Sequence, residues 1–188
     1  MYSKKAFSVF LIMMMSVAVL RAQNNQKSTT DLILSSYSAK TFTQDPVPDK
    51  DIRTILECGI KAPSGMNKQP WKFTVIRDNA LVQEIIRNAV PGNVMIIIST
   101  PESSNGGSAD FDCGLAMENM YVAAQALGLG SHIYMTGVNV VNGKKDVYGI
   151  PEGYKVNSIL RIGNVPQTPD ANSSASARKN FEEVVNYK

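Results

Sequence analysis

The chain has 188 residues, 44% hydrophobic and 19% charged. That is enough for one ordinary domain with a real core, and it excludes a disordered or collagen-like chain. The formal charge of +3 is misleading: three of the nineteen basic residues, Lys4, Lys5 and Arg21, lie in the first 22 positions, where no acid occurs. The remainder carries sixteen basic against sixteen acidic residues, which excludes a basic footprint for nucleic acid.

Lys4 and Lys5 precede an apolar run from Ala6 to Leu20, broken only by Ser8 and Ser16. A short basic region, an apolar stretch and a small residue at its end describe a secretory signal, with cleavage after Ala22. The run is about fifteen residues, short of the ~20 needed to cross a bilayer. The expected organisation is a signal peptide over 1–22, a linker over 23–30 and one domain over 31–188, exported to a periplasm or medium with no stable membrane anchor.

Along the mature chain, Leu32, Ile33 and Leu34 predict a short helix over Asp31–Ser36. Ser38–Pro48 reads as an extended arm, because Pro46 and Pro48 disfavour helix before them. Asp49 is expected to cap a helix whose apolar face is Ile52, Ile55, Leu56 and Ile60. Ala62–Pro70 is a loop; Trp71–Arg77 alternates as a strand with Trp71, Phe73 and Val75 on one side. Leu81, Ile85 and Ile86 predict a helix over Ala80–Asn88. Val94–Ser99 reads as a strand buried on both faces. Pro101–Ser108 has a flexible-loop composition, and Asp110–Leu127 is the longest helical pattern, stopped by Gly128. Ser131–Met135 and Lys155–Ile162 are further strands. The tail ends in Phe181, Val184 and Val185, which should dock. Helices and strands intermix without strict βαβ alternation, so the expected class is α+β.

Little of the usual catalytic vocabulary is present. His132 is the single histidine, there is no CxxC and no set of Cys and His ligands for zinc, so no metal site is expected. Without a GxSxG, His132 has no recognisable nucleophile to serve. Cys58 and Cys113 lie in helical patterns; export would permit a disulfide, but spacing does not decide a pairing, and small buried hydrophobes are the simpler reading. Gly128-Leu129-Gly130-Ser131 follows a helix and has Ile133 where a dinucleotide fingerprint needs its third glycine.

The informative segment is Ala62-Pro63-Ser64-Gly65-Met66-Asn67-Lys68-Gln69-Pro70-Trp71. It displays a hydroxyl, carboxamides and backbone N–H groups close together, which suits a planar ligand with many hydrogen-bonding edges. The same residue types build ordinary turns.

This segment resembles the flavin loop of the FMN-dependent nitroreductase family, P-S-G-x-N-x-Q-P-W, at all seven fixed positions from Pro63 to Trp71. Ser38-Ala39-Lys40-Thr41-Phe42 with Pro46-Val47-Pro48 is similar to that family's S-x-[RK]-x-F arm. Asp112-Cys113-Gly114-Leu115-Ala116 with Asn119-Met120 is similar to its central helix, and Leu160–Pro166 followed by Arg178-Lys179 to its carboxy-terminal strand and arm.

The resemblance implies a nitroreductase-like mixed or antiparallel sheet flanked by helices, in an intertwined homodimer with FMN at the subunit interface. It assigns FMN contacts to Tyr37, Ser38, Lys40, Pro63, Ser64, Gly65, Asn67, Gln69, Thr136, Gly137 and Arg178. Thr136-Gly137 would present a backbone N–H near the flavin N5, and no catalytic side chain is implied. Two family positions differ: Ser36 stands where an arginine often opens the arm, and Ser176 where a tail cation is common, leaving Lys40 and Arg178 for the phosphate. The implied activity passes a hydride from NAD(P)H through FMN to a nitro or quinone acceptor by a ping-pong mechanism; the alternative is a flavin- or small-ligand-binding protein without turnover.

Exported protein is expected to begin near Gln23. Intact-mass analysis checks this, and a retained Met1 would contradict it.

Overall fold

The computed structural model describes residues 28–104, 107–167 and 176–188. The signal segment and the first five residues of the linker lie outside the described residues. Residues up to Leu34 form a unit apart from Ser35–Lys188. In the first, helix α1 spans Thr29–Leu34, two residues earlier than expected, because Ser28 and Asp31 set its start: the Ser28 hydroxyl donates to the Asp31 carboxylate (2.7 Å) and accepts the Asp31 N–H (3.1 Å).

The second unit is built on four strands in the order β1-β2-β4-β3, antiparallel throughout. These are β1 (Lys72–Ile76), β2 (Val94–Pro101), β3 (Gly130–Tyr134) and β4 (Tyr154–Gly163). β2 lies between β1 and β4, and its residues from Val94 to Thr100 are all buried, as a continuous apolar run demands. Its pairing with β4 runs from Val94↔Ile162 to Pro101↔Tyr154 and slips by one residue between Ile98 and Ser99, so that Ile98 faces Ser158, Ser99 faces Val156, and Asn157 is the extra residue.

Alternation along the strands splits the core in two. Val94, Ile96, Ile98, Leu160 and Ile162 pack against helices α2 (Asp49–Ile60) and α4 (Gly107–Ala126) on one face. Met95, Ile97, Val156 and Ile159 pack on the other face against Val82 and Ile86 of the α3 region (Asn79–Ile85) and against Val141, Tyr148 and Ile150, at and after α5 (Val138–Asn142). Each fully buried aliphatic side chain of this kind contributes about 1.5–3 kcal/mol. The sheet is thus covered on both faces.

Local chemistry sets the helix boundaries, and here some expectations are corrected. Asp49 does not cap α2: Pro48 is the N-cap residue and Asp49 stands in the first turn, where its negative charge favours the helix end and pairs with Arg77. Asp78 does cap with its side chain: it accepts the N–H groups of Ala80 (2.9 Å) and Leu81 (3.1 Å) and starts α3. That helix ends at Ile85, before the expected Asn88, because Ile86 leaves helical geometry (φ −122°, ψ 87°). α4 begins three residues earlier than expected, at Gly107. Its packing on α2 is close: a Cβ at Gly59 would lie 2.8 Å from Met120.

The tail keeps most of its apolar side chains exposed in the described residues. Helix α6 (Phe181–Val184) carries a capping box between Asn180 and Glu183, yet Phe181 is 58% and Val184 59% exposed. Neither core cluster includes them; among the described residues Phe181 meets the Tyr187 ring at 6.4 Å, and Val185 is half-buried.

Gly130 is required by close approach, since a Cβ there would collide with Val165 and stand 2.7 Å from Ala39. Gly130→Ala is expected to destabilise the fold by about 1–3 kcal/mol, the range for overpacking, measured as a lower urea midpoint at unchanged slope.

Candidate functional site

Two segments singled out in the sequence, the Pro63–Trp71 loop and the arm from Tyr37, are both held by α4. The loop is anchored near the start of that helix. Asp112, 5% exposed, accepts the Gly65 N–H with both carboxylate oxygens, at 3.0 and 3.2 Å. Within the loop the Ser64 hydroxyl accepts the Gln69 N–H (3.0 Å), and the Gln69 carboxamide donates to the Asn67 carbonyl and side-chain oxygens (3.3 and 3.1 Å). These bonds hold Met66 (φ 53°), Asn67 (φ 55°) and Gln69 (φ 47°) in the left-handed region. Each costs on the order of 1–3 kcal/mol, least for Asn, and such strain concentrates where a backbone is shaped for a ligand. Pro63, Gly65, Asn67 and Gln69 stay exposed, while Trp71 is buried and stacks on Phe73 at 6.4 Å. Beside the loop is a cleft of about 420 Å³, lined by Lys68, Pro70, Ser103, Ser104, Ser108 and Asp112.

The arm is held by the other end of α4 and by β3. The Tyr37 N–H donates to the Gln125 side chain (3.2 Å), and the Ser38 hydroxyl lies 3.5 Å from the Tyr121 hydroxyl. The Gln125 amide donates to Ser131 Oγ, which in turn donates to the Tyr121 carbonyl. The Ala39 N–H donates to the Ser131 carbonyl at 2.9 Å, and its carbonyl accepts from His132 Nδ1 at 2.7 Å. A carbonyl can only accept, so His132 carries its proton on Nδ1. The ring also stacks on Tyr134, 4.4 Å away. His132 is therefore a clasp for the arm, with no nucleophile beside it. Ser38 and Lys40 remain exposed.

Asp112 and Tyr121 are nine residues apart on one helix, about two and a half turns, so the two anchor points lie about 13 Å apart along its axis and on opposite sides of it. The loop after β3 supplies the third predicted element. Thr136 is exposed and Gly137 buried; a Cβ at Gly137 would collide with Ile85 of α3. A side chain is thus excluded where the backbone was expected to act. Arg178 is not brought to the arm by any bond seen here: it is exposed and donates to the Ser176 carbonyl at 2.8 Å, within its own tail.

Cys58 and Cys113 are both free thiols. Cys113 is fully buried, and burial, with Asp110 and Asp112 adding to it, pushes its pKa up to about 12, an unreactive thiol. Among the described residues no group of three or more His, Cys, Asp or Glu side chains could hold a metal ion, and no helix is long and apolar enough to cross a membrane.

One buried charge packed against the arm was missed in the sequence. Arg161 of β4 is 1% exposed, hydrogen-bonded to Asn88 and Asn93 and placed 3.9 Å over the ring of Phe42, in the arm. A cation at the alternating, inward position of an apolar strand is the signal that could have found it.

The fold is a covered antiparallel sheet whose longest helix holds both a strained polar loop and an extended arm. The chain matches the model of the Nitroreductase family over residues 33–93 and 91–164 and belongs to that family. It is 28% identical over 145 residues to an Archaeoglobus fulgidus protein provisionally named NADH dehydrogenase/NAD(P)H nitroreductase, covering 70% of this chain and 82% of that one. It is 25% identical over 166 residues to the NADPH-flavin oxidoreductase of Vibrio harveyi, covering 76% and 68%. Among solved structures, a nitroreductase-type protein from Desulfovibrio desulfuricans in complex with FMN superposes with a TM-score of 0.73 at 25% identity, covering 87% of this chain and 98% of that one. The FMN-dependent nitroreductase of Clostridium difficile gives 0.65 at 27%, covering 84% and 98%.

Asp112→Ala removes a charged acceptor shared by both oxygens. It is expected to cost about 1.5–3 kcal/mol and to speed amide exchange at Gly65, read by urea unfolding and hydrogen exchange.

Proposed function

We propose that this chain is an exported FMN-dependent oxidoreductase that takes reducing equivalents from NAD(P)H and delivers them to nitro or quinone acceptors, donor and acceptor using one site in turn. The observation that carries this reading is the Pro63–Trp71 loop, held by Asp112 in a strained form beside a cleft of about 420 Å³. FMN-bound members of the same family at 25% identity support the cofactor.

The residues present fit FMN. Asn67 and Gln69 offer carboxamides, and Lys68 a cation, at the loop end, matching the carbonyl and N–H edges of a flavin ring. On the arm, Ser38 offers a hydroxyl and Lys40 a cation suited to a phosphate dianion. Bound FMN supplies the hydride chemistry, and the protein supplies binding and orientation. Ser64 shapes the loop, because its hydroxyl is engaged by the Gln69 N–H. Gly137 lets the backbone after β3 pack closely on Ile85 and Ile159, which fixes the segment proposed to face the flavin N5. No acid–base side chain is needed, consistent with His132 serving the arm.

A second subunit is part of the proposal. Phe111, Phe181 and Val184 expose large apolar surface, which a homodimer would cover. Arg178, held within its own tail here, is proposed to meet the phosphate in that assembly. Export rests on the Lys4–Leu20 segment.

Purified protein is expected to be yellow with about one FMN per chain, to bleach anaerobically with NADH or NADPH, and to recover colour with a quinone. Protein that takes up no FMN would refute the reading. A yellow protein that no nicotinamide reduces would instead be a flavin-binding protein without turnover.

A further inference from the structure

Arg161 sits in β4, in the interior of the sheet, and is 1% exposed. Among the described residues its hydrogen-bond partners are neutral. Nε and Nη2 donate to Asn93 Oδ1 at 2.9 and 2.6 Å, Nη1 to Asn88 Oδ1 and Nη2 to the Asn88 carbonyl at 3.0 Å each, and Nη1 lies 3.5 Å from the Tyr134 hydroxyl. Taking a guanidinium out of water without a carboxylate is costly, and an aliphatic side chain of similar volume would often be more stable there. Burial accordingly lowers its pKa from the ordinary value. The arginine therefore needs a reason other than stability.

Its remaining face is occupied by Phe42, whose ring centroid is 3.9 Å from the guanidinium carbon, well inside cation–π range. Phe42 is 8% exposed and lies over two glycines; a Cβ at Gly130 or Gly163 would stand 3.1 or 2.8 Å from the ring. The arm is thus pinned at two points. Ala39 is fixed to β3 through Ser131 and His132, and Phe42 is fixed three residues later against Arg161. Lys40 lies between the pins and Ser38 just before them.

We propose that Arg161 is a positioning residue for the phosphate end of the cofactor site: its buried guanidinium holds Phe42 and thereby fixes the segment that carries Ser38 and Lys40. The fork also ties that segment to Asn88 and Asn93 in the turn before β2, so the arm answers to β2, β3 and β4 together. This rests on the reading of Ser38 and Lys40 as phosphate contacts.

The test titrates flavin-stripped mature protein with FMN and with riboflavin, which lacks the phosphate, following flavin fluorescence, with thermal unfolding alongside. Phe42→Leu and Arg161→Met are each expected to weaken FMN about tenfold while riboflavin changes less than about twofold. The double variant should be no worse than either single one, because the pair acts as a unit. Arg161→Lys, which keeps a cation under the ring, should recover part of the preference. A lower Tm with an unchanged FMN-to-riboflavin ratio would mean a merely structural role and overturn the proposal. If Arg161→Met fails to fold, Phe42→Leu decides alone, since it leaves the asparagine bonds in place. Wild type binding neither flavin would overturn the FMN function and this role with it; wild type preferring FMN, with the preference intact in Phe42→Leu, overturns only the role of Arg161.

Discussion

The carboxylate of Asp112 receives the Gly65 N–H on both oxygens, and on the same helix Tyr121 and Gln125 receive the arm. A 20-residue helix is a stiff ruler, rising 1.5 Å per residue, so the distance between the loop and the arm is set by residue spacing along α4. The helix is kept in place by β2 and β4 beneath it and by α2 beside it, where Gly59 meets Met120. Loop and arm therefore inherit the rigidity of the core although both lie at the surface. A ligand that meets either one finds a preformed surface, and little of its binding free energy is lost to ordering the protein.

Strain and desolvation are distributed in the same pattern. Met66, Asn67 and Gln69 hold left-handed backbone, and Arg161 holds a charge in the interior. Neither helps the chain to fold, and the surrounding structure over-determines both: the loop through Ser64 and Asp112, the arginine through two asparagines and Phe42. Unfavourable local states that persist under such reinforcement are what a binding surface requires when its shape must precede its ligand.

Much of the fold was legible in the sequence because the strong periodic signals were tertiary signals too. The continuous run Val94–Ser99 could be read as a strand buried on both faces, and the Ile52, Ile55 spacing on α2 marked its inward side. The flavin-type loop was legible as a motif, and its strained backbone has a cause that only folding reveals, since Asp112 is 47 residues from Gly65. Asp49 was misassigned as a cap because an acid after Pro-Val-Pro fits both the N-cap and the first turn, and only the backbone distinguishes them. The tail was legible only as a need for cover, because apolar residues do not say what provides it. Arg161 went unnoticed because a charge inside an apolar strand is usually a surface residue, and its partners, Asn88, Asn93 and Phe42, are scattered across the chain.

The slip in the β2–β4 ladder reaches the site by a short route. Asn157, the extra residue, is turned out of the pairing, and its amide donates to the Asp110 carboxylate at 2.9 Å, in the first turn of α4. A single inserted residue in a strand thus steadies the start of the helix that carries Asp112. Deleting it would make the ladder regular and leave Val156 opposite Ser99 on the face it already covers, but it would remove the bond to Asp110. Length in this strand is a heritable constraint on the site, separate from the identity of any residue that touches a ligand.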